Sequence, residues 1–148
     1  LEKIAAVNGI TYINDSNETN LDATIRALAR FDNLIIWIAG GIDKGNDYDT
    51  IKTLVTGKVK ALVWLGKDND KLVTAFRGYV DSISETDNIK KAVKEAYEMA
   101  EEGDVILLSP SCASFDLFEN YADRGLKFQK TVNKLILKIE KEEIAEHE

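Results

Sequence analysis

The sequence predicts an α/β fold: a Rossmann-like, mostly parallel sheet with helices on both faces, entered through an N-terminal β-hairpin. Three observations predict it. Apolar runs such as Leu34-Ile35-Ile36-Trp37-Ile38-Ala39 are continuous rather than alternating, as strands buried on both faces of a parallel sheet are. Segments with apolar residues at helical spacing separate these runs, and strands alternating with helices of this length build right-handed βαβ units. The first two β-prone runs instead flank Asn8-Gly9, the strongest short hairpin signal.

Taken in order, residues 4–7 and 10–13 form the hairpin. Leu21, Ile25, Leu28 and Phe31 then recur at helical spacing, giving an amphipathic helix over 21–31 with Asn20 as its N-cap. The strand 34–39 ends in Gly40-Gly41. There follow a helix near 48–56, a strand over 61–65 closed by Gly66, a helix near 71–79, and a short strand near 82–84. A helix over 89–101, a strand over 105–108 and a long final helix complete the chain. Pro110, the only proline, stands just after the strand 105–108 and ahead of a helix, where its fixed φ and missing N–H are tolerated. Residues 139–148 are charged and weakly amphipathic, a solvated helix end or frayed tail in which His147 has no role. No repeat or Pro/Gly/Ser-rich linker divides the 148 residues, so 1–148 reads as one domain.

Composition excludes several classes of function. With 19 Lys plus Arg against 26 Asp plus Glu, the net charge is −7, and no basic stripe offers a face to nucleic acid or an anionic membrane. No apolar run approaches the ~20 residues of a membrane span, and the N-terminus lacks a basic segment followed by an apolar one. A cytoplasmic protein is expected. One cysteine, Cys112, and one histidine, His147, exclude the usual zinc sites. They also exclude Ser-His-Asp and Cys-His catalysis, unless a partner chain supplies the histidine.

In an open parallel sheet, ligands bind beyond the carboxyl ends of the strands. Three segments there are polar or glycine-rich: Asn14-Asp15-Ser16-Asn17-Glu18-Thr19-Asn20, Gly40-Gly41-Ile42-Asp43-Lys44-Gly45-Asn46-Asp47, and Ser109-Pro110-Ser111-Cys112-Ala113-Ser114-Phe115-Asp116. All three are expected on one rim. The first is either an ordinary turn into a helix or a set of polar groups at a helix N-terminus, where an anion is favoured. In the second, adjacent glycines let backbone approach a ligand and Lys44 supplies a point charge, unless Asp43 and Asp47 pair with it at the surface. It is neither a dinucleotide fingerprint nor a P-loop. In the third, small residues expose N–H groups at a helix start, Cys112 reads as a buried small hydrophobe, and Asp116 favours the helix N-terminus. The residues alone describe an anion-binding cleft on an α/β domain.

Together, the segments resemble the C-terminal domain of the Mur ligases. The resemblance is carried by Asn14-Asp15-Ser16, Thr19-Asn20 and Asp22-Ala23-Thr24, then Gly40-Gly41-x-Asp43-Lys44-Gly45-x-Asp47. It continues through Leu107-Leu108-Ser109-Pro110, Cys112-Ala113-Ser114-Phe115-Asp116-x-Phe118 and Arg124-Gly125-x-x-Phe128. It extends from the first residue to about Leu137 in the family's order and spacing. The first and third motifs are similar to the type that adds D-glutamate to UDP-N-acetylmuramoyl-L-alanine in peptidoglycan precursor synthesis. Types with His or Tyr beside the Asp are less similar.

The resemblance implies the last domain of a three-domain, ATP-dependent, ADP-forming ligase. The missing N-terminal domain would hold the uridine nucleotide, and the missing central domain the P-loop, ATP and Mg2+. This domain would bind the incoming amino acid and be inactive alone, with no catalytic residue and no metal ligand of its own. Carried over position by position, Thr19, Lys44, Ser114, Phe115 and Tyr121 would hold D-glutamate, and Asp15 would face ATP. A family Arg that reaches ATP falls just before the first residue here. The chain departs from the family at Asn17 and Glu18, where Lys and a small residue are usual. A non-catalytic α/β module that binds an anion or amino acid, in a ligase-like protein, is the competing expectation; an upstream P-loop separates the two. A nucleotide-binding response or Rossmann module is disfavoured by the missing glycine fingerprint.

Overall fold

A computed structural model describes residues 2–15, 21–40, 49, 51–66, 70–111 and 120–147. Along these segments lie β1 (Glu2–Val7), β2 (Ile10–Asn14), α1 (Leu21–Ala29), β3 (Ile35–Gly40), α2 (Lys52–Lys58) and β4 (Val59–Leu65). After them come α3 (Asp70–Phe76), β5 (Ser82–Thr86), α4 (Ile89–Met99), β6 (Val105–Ser111) and α5 (Tyr121–His147). The strands form one sheet in the order β1-β2-β6-β3-β4-β5. Only β1 runs antiparallel, to β2; every other neighbouring pair is parallel. The Asn8-Gly9 turn has positive φ at both residues, 52° and 76°, as the two-residue hairpin turn requires, and it pairs Val7 with Ile10.

The continuous apolar runs supply two cores at once. On one face, Ile35, Trp37 and Ala39 of β3 and Leu62 and Trp64 of β4 pack with Ala27 and Leu28 of α1, Val55 of α2 and Phe76 of α3. On the other, Ile36, Ile38, Ala61 and Val63 pack with Ala92, Val93 and Ala96 of α4 and Phe128 and Val132 of α5. The molecule is therefore three layers, helices on both faces of the sheet. Trp37 and Phe76 meet edge to face at 5.5 Å on the first side. Tyr12 and Phe128 meet at 6.3 Å on the second, where burial, with Tyr97 nearby, holds the Tyr12 phenol above its ordinary range.

Element ends differ from the sequence reading at several places: β4 begins at Val59 rather than 61, β5 runs to Thr86 rather than 84, α3 stops at Phe76 rather than 79 and α4 at Met99 rather than 101. Helix α1 stops at Ala29, two residues early, and Phe31 packs against the first core from beyond its end. Helix α2 begins at Lys52 rather than near 48 and continues to Lys58. Helix α5 continues to His147 with 140–146 exposed, the solvated helix end that is one of the two expectations for this stretch. The largest correction concerns Pro110, which lies inside β6 rather than after it. Ile38 pairs with Leu108 but Gly40 with Ser111, so β6 carries one extra residue opposite β3 there. On its other side β6 has already outrun β2, whose last partner is Leu108. A bulge beside the end of a neighbouring strand is a place where a strand tolerates proline.

Candidate functional site

Strand order creates the site. β2, β6 and β3 lie side by side and parallel, yet β2 and β3 are followed by helices on one face and β6 by α5 on the other. Where neighbouring strands send their chains to opposite faces, a crevice opens beyond their carboxyl ends. The three polar segments leave the sheet at this crevice, after Asn14, Gly40 and Ser111. Thr19, Lys44, Ser114 and Phe115 lie outside the described residues, as do Asn20, Cys112 and Asp116. Tyr121 is the first residue of α5. Asp15 is the predicted site residue whose surroundings are described.

Strand alternation sends consecutive residues of the first segment to opposite faces. Asp15 turns toward α1 and is 4% exposed; its backbone N–H donates to the Leu108 carbonyl at 2.8 Å. Its Oδ2 accepts from Ser109 Oγ at 3.1 Å, and Ser109 Oγ lies 2.9 Å from Thr24 Oγ1 on α1. Ser109 and Thr24 are both fully buried. The Trp37 indole N–H donates to the Ser109 carbonyl at 2.7 Å, fixing the backbone of the same residue. Asn14 turns to the other face, where its side-chain amide donates to the Gly125 carbonyl at 3.5 Å.

The start of α5 contacts the ends of β2 and β3, where Asn14 donates to the Gly125 carbonyl and Arg124 to that of Gly40. Arg124 is 2% exposed, on the same helical stripe as Phe128 and Val132, and its Nη1 donates to the Gly40 carbonyl at 3.3 Å. Gly40 has φ +153°, and a Cβ there would stand 1.8 Å from the Leu65 carbonyl oxygen. The strand end that launches the Lys44 segment is thus defined by a glycine-only conformation and a buried guanidinium. A carboxylate, two hydroxyls and a guanidinium, all nearly or fully buried and hydrogen-bonded to one another or to backbone, thus fix the strand ends around the crevice.

A model of the family described as "Mur ligase, glutamate ligase domain" matches residues 1–112. The chain belongs to this family. This Mur ligase domain is 51% identical over 135 residues to a protein of Christiangramia forsetii, covering 91% of the chain and 30% of that protein. It is 52% identical over 132 residues to one of Porphyromonas gingivalis, covering 89% and 29%. Both relatives carry the name UDP-N-acetylmuramoylalanine--D-glutamate ligase. The chain spans about 30% of the length of these curated relatives. Its fold is shared by the MurF ligase of Thermotoga maritima, solved with ADP: TM-score 0.52 and 15% identity, covering 90% of this chain and 30% of that one.

Within the Mur ligase domain, the supporting residues Ser109, Thr24 and Arg124 were quoted in the sequence motifs without a role. Each carried a signal nonetheless. Thr24 is a hydroxyl on the stripe shared by Ala27 and Leu28, and Arg124 a charge on the stripe of Phe128 and Val132. Polar groups at core positions are retained where they have hydrogen-bond partners.

Proposed function

We propose that this domain is the C-terminal, amino-acid-binding part of an ATP-dependent ligase that joins D-glutamate to UDP-N-acetylmuramoyl-L-alanine in peptidoglycan precursor synthesis. The observation that carries the proposal is the 51–52% identity, over about nine-tenths of the chain, to ligases named for that reaction. In this reading the substrate carboxylate is activated as an acyl phosphate at the expense of ATP. The D-glutamate amine then displaces phosphate to form the amide. Lys44, Thr19, Ser114, Phe115 and Tyr121 hold D-glutamate, whose two carboxylates suit a lysine charge, hydroxyl donors and a helix N-terminus. Asp15 faces the ATP side of the crevice.

Among the described residues no three His, Cys, Asp or Glu side chains converge to hold a metal ion. The proposal places Mg2+ and most ATP contacts in the central domain of the full-length protein. It also places the protein in the bacterial cytoplasm; among the described residues no helix is long and apolar enough to cross a membrane. The test is ADP release by the full-length protein with ATP, Mg2+ and UDP-N-acetylmuramoyl-L-alanine, comparing D-glutamate with L-glutamate, L-lysine and diaminopimelate. Turnover with D-glutamate alone is expected. Turnover with another amino acid would overturn the substrate assignment, and none at all would favour a non-catalytic binding module.

A further inference from the structure

We propose that Thr24 and Ser109 are positioning residues, a two-hydroxyl relay that fixes the Asp15 carboxylate at the crevice. Counting protons gives the relay its direction. Ser109 Oγ carries one proton, which it donates to Asp15 Oδ2 at 3.1 Å. The contact of 2.9 Å between the two hydroxyls must then be donated by Thr24. The order is Thr24 O–H to Ser109 O–H to Asp15 carboxylate, running from the inner face of α1 through β6 to the end of β2.

Every joint of the relay is held from a second side. The Ser109 backbone is fixed by the Trp37 indole at 2.7 Å, within the bulged stretch of β6 between Leu108 and Ser111. The Asp15 backbone is held on the Leu108 carbonyl at 2.8 Å. Thr24 lies on the α1 face that packs on the sheet, and both hydroxyl residues are out of contact with water. A hydroxyl buried at this depth must be hydrogen-bonded to be tolerated, and each is satisfied by the next. A second hydroxyl behind the first orients it, so loss of either weakens the contact that orients the Asp15 Oδ2.

The relay rests on the proposed reading in one respect, that Asp15 faces ATP. Its test uses the full-length protein and two opposed substitutions at one position. Thr24→Val keeps the volume and removes the proton donor; the KM for ATP is expected to rise about tenfold, the effect of losing a hydrogen bond to a charged group. Thr24→Ser keeps the hydroxyl and removes a buried methyl, so it is expected to lower Tm by a few degrees and leave the KM for ATP within about twofold. Ser109→Ala should match Thr24→Val, and the double variant should be no worse than Ser109→Ala, because Thr24 acts only through Ser109. The KM for D-glutamate should stay within about twofold in all of them.

Additive losses in the double variant, or a KM for ATP that follows Tm instead of the hydroxyl, would overturn the relay. A wild type that releases no ADP would sink the ligase reading instead. The relay would then be decided by Tm alone: a double variant that loses less than the sum of the singles supports it, and additive Tm losses overturn it.

Discussion

At the residue scale, two positions are under opposite kinds of demand. Gly40 answers to backbone geometry: its φ of +153° and the 1.8 Å approach of a hypothetical Cβ to the Leu65 carbonyl leave no room for any side chain. The obstacle is main chain of the paired strand β4, not the far end of a flexible side chain. Gly40→Ala is expected to destabilise the domain by about 3 kcal/mol or more in urea unfolding, and a loss below about 1 kcal/mol would contradict this geometry. Lys44, four residues further on, answers to chemistry in the proposed reading. Lys44→Ala removes one charge-assisted contact to a D-glutamate carboxylate, so the KM for D-glutamate should rise about 10- to 150-fold. It should leave Tm within about 2 °C; an unchanged KM would remove Lys44 from the site.

At the element scale, α5 is one helix with two jobs. Its first turns lie under the crevice, with Arg124 on the Gly40 carbonyl and Gly125 accepting from Asn14. Its middle buries Phe128, Val132 and Ile139, while 140–146 are exposed, including Ile144 at 60%. Ending the chain after Glu140 should therefore leave Tm within about 2 °C, and a fall of more than about 5 °C would show that the last two turns pack against something. Most elements could be read locally, because a double-sided core makes strands continuous and a one-sided core makes helices periodic. The bulge could not. Nothing in Leu107-Leu108-Ser109-Pro110 announces an extra residue, because the pairing that defines it lies with Ile38 and Gly40, some 70 positions away in sequence. Asn88 shows the opposite case: its Oδ1 accepts from the N–H groups of Lys90 and Lys91 at 2.9 and 3.1 Å, a cap written in one residue.

At the scale of the whole molecule, insertion of β6 between β2 and β3 brings the ends of three strands side by side. Sequence reading places the polar segments at strand ends and expects them on one rim; the strand order is what makes β2, β6 and β3 neighbours. Order is set by which faces the crossovers cover, a property of the assembled sheet. The same topology limits what the domain does alone. Its crevice is built from this chain's strand ends, whereas the proposed chemistry also needs the nucleotide-bearing acyl donor and bound ATP, which the proposal places in the remaining roughly 70% of the relatives' length. Rate acceleration depends on holding reactants together, and a domain holding one reactant supplies none of that proximity. The isolated 148 residues should therefore release no ADP above background with all substrates present, while the full-length protein turns over. ADP release by the isolated chain, abolished by Lys44→Ala, would show that this crevice holds ATP and both substrates by itself, and would overturn the division of labour between domains.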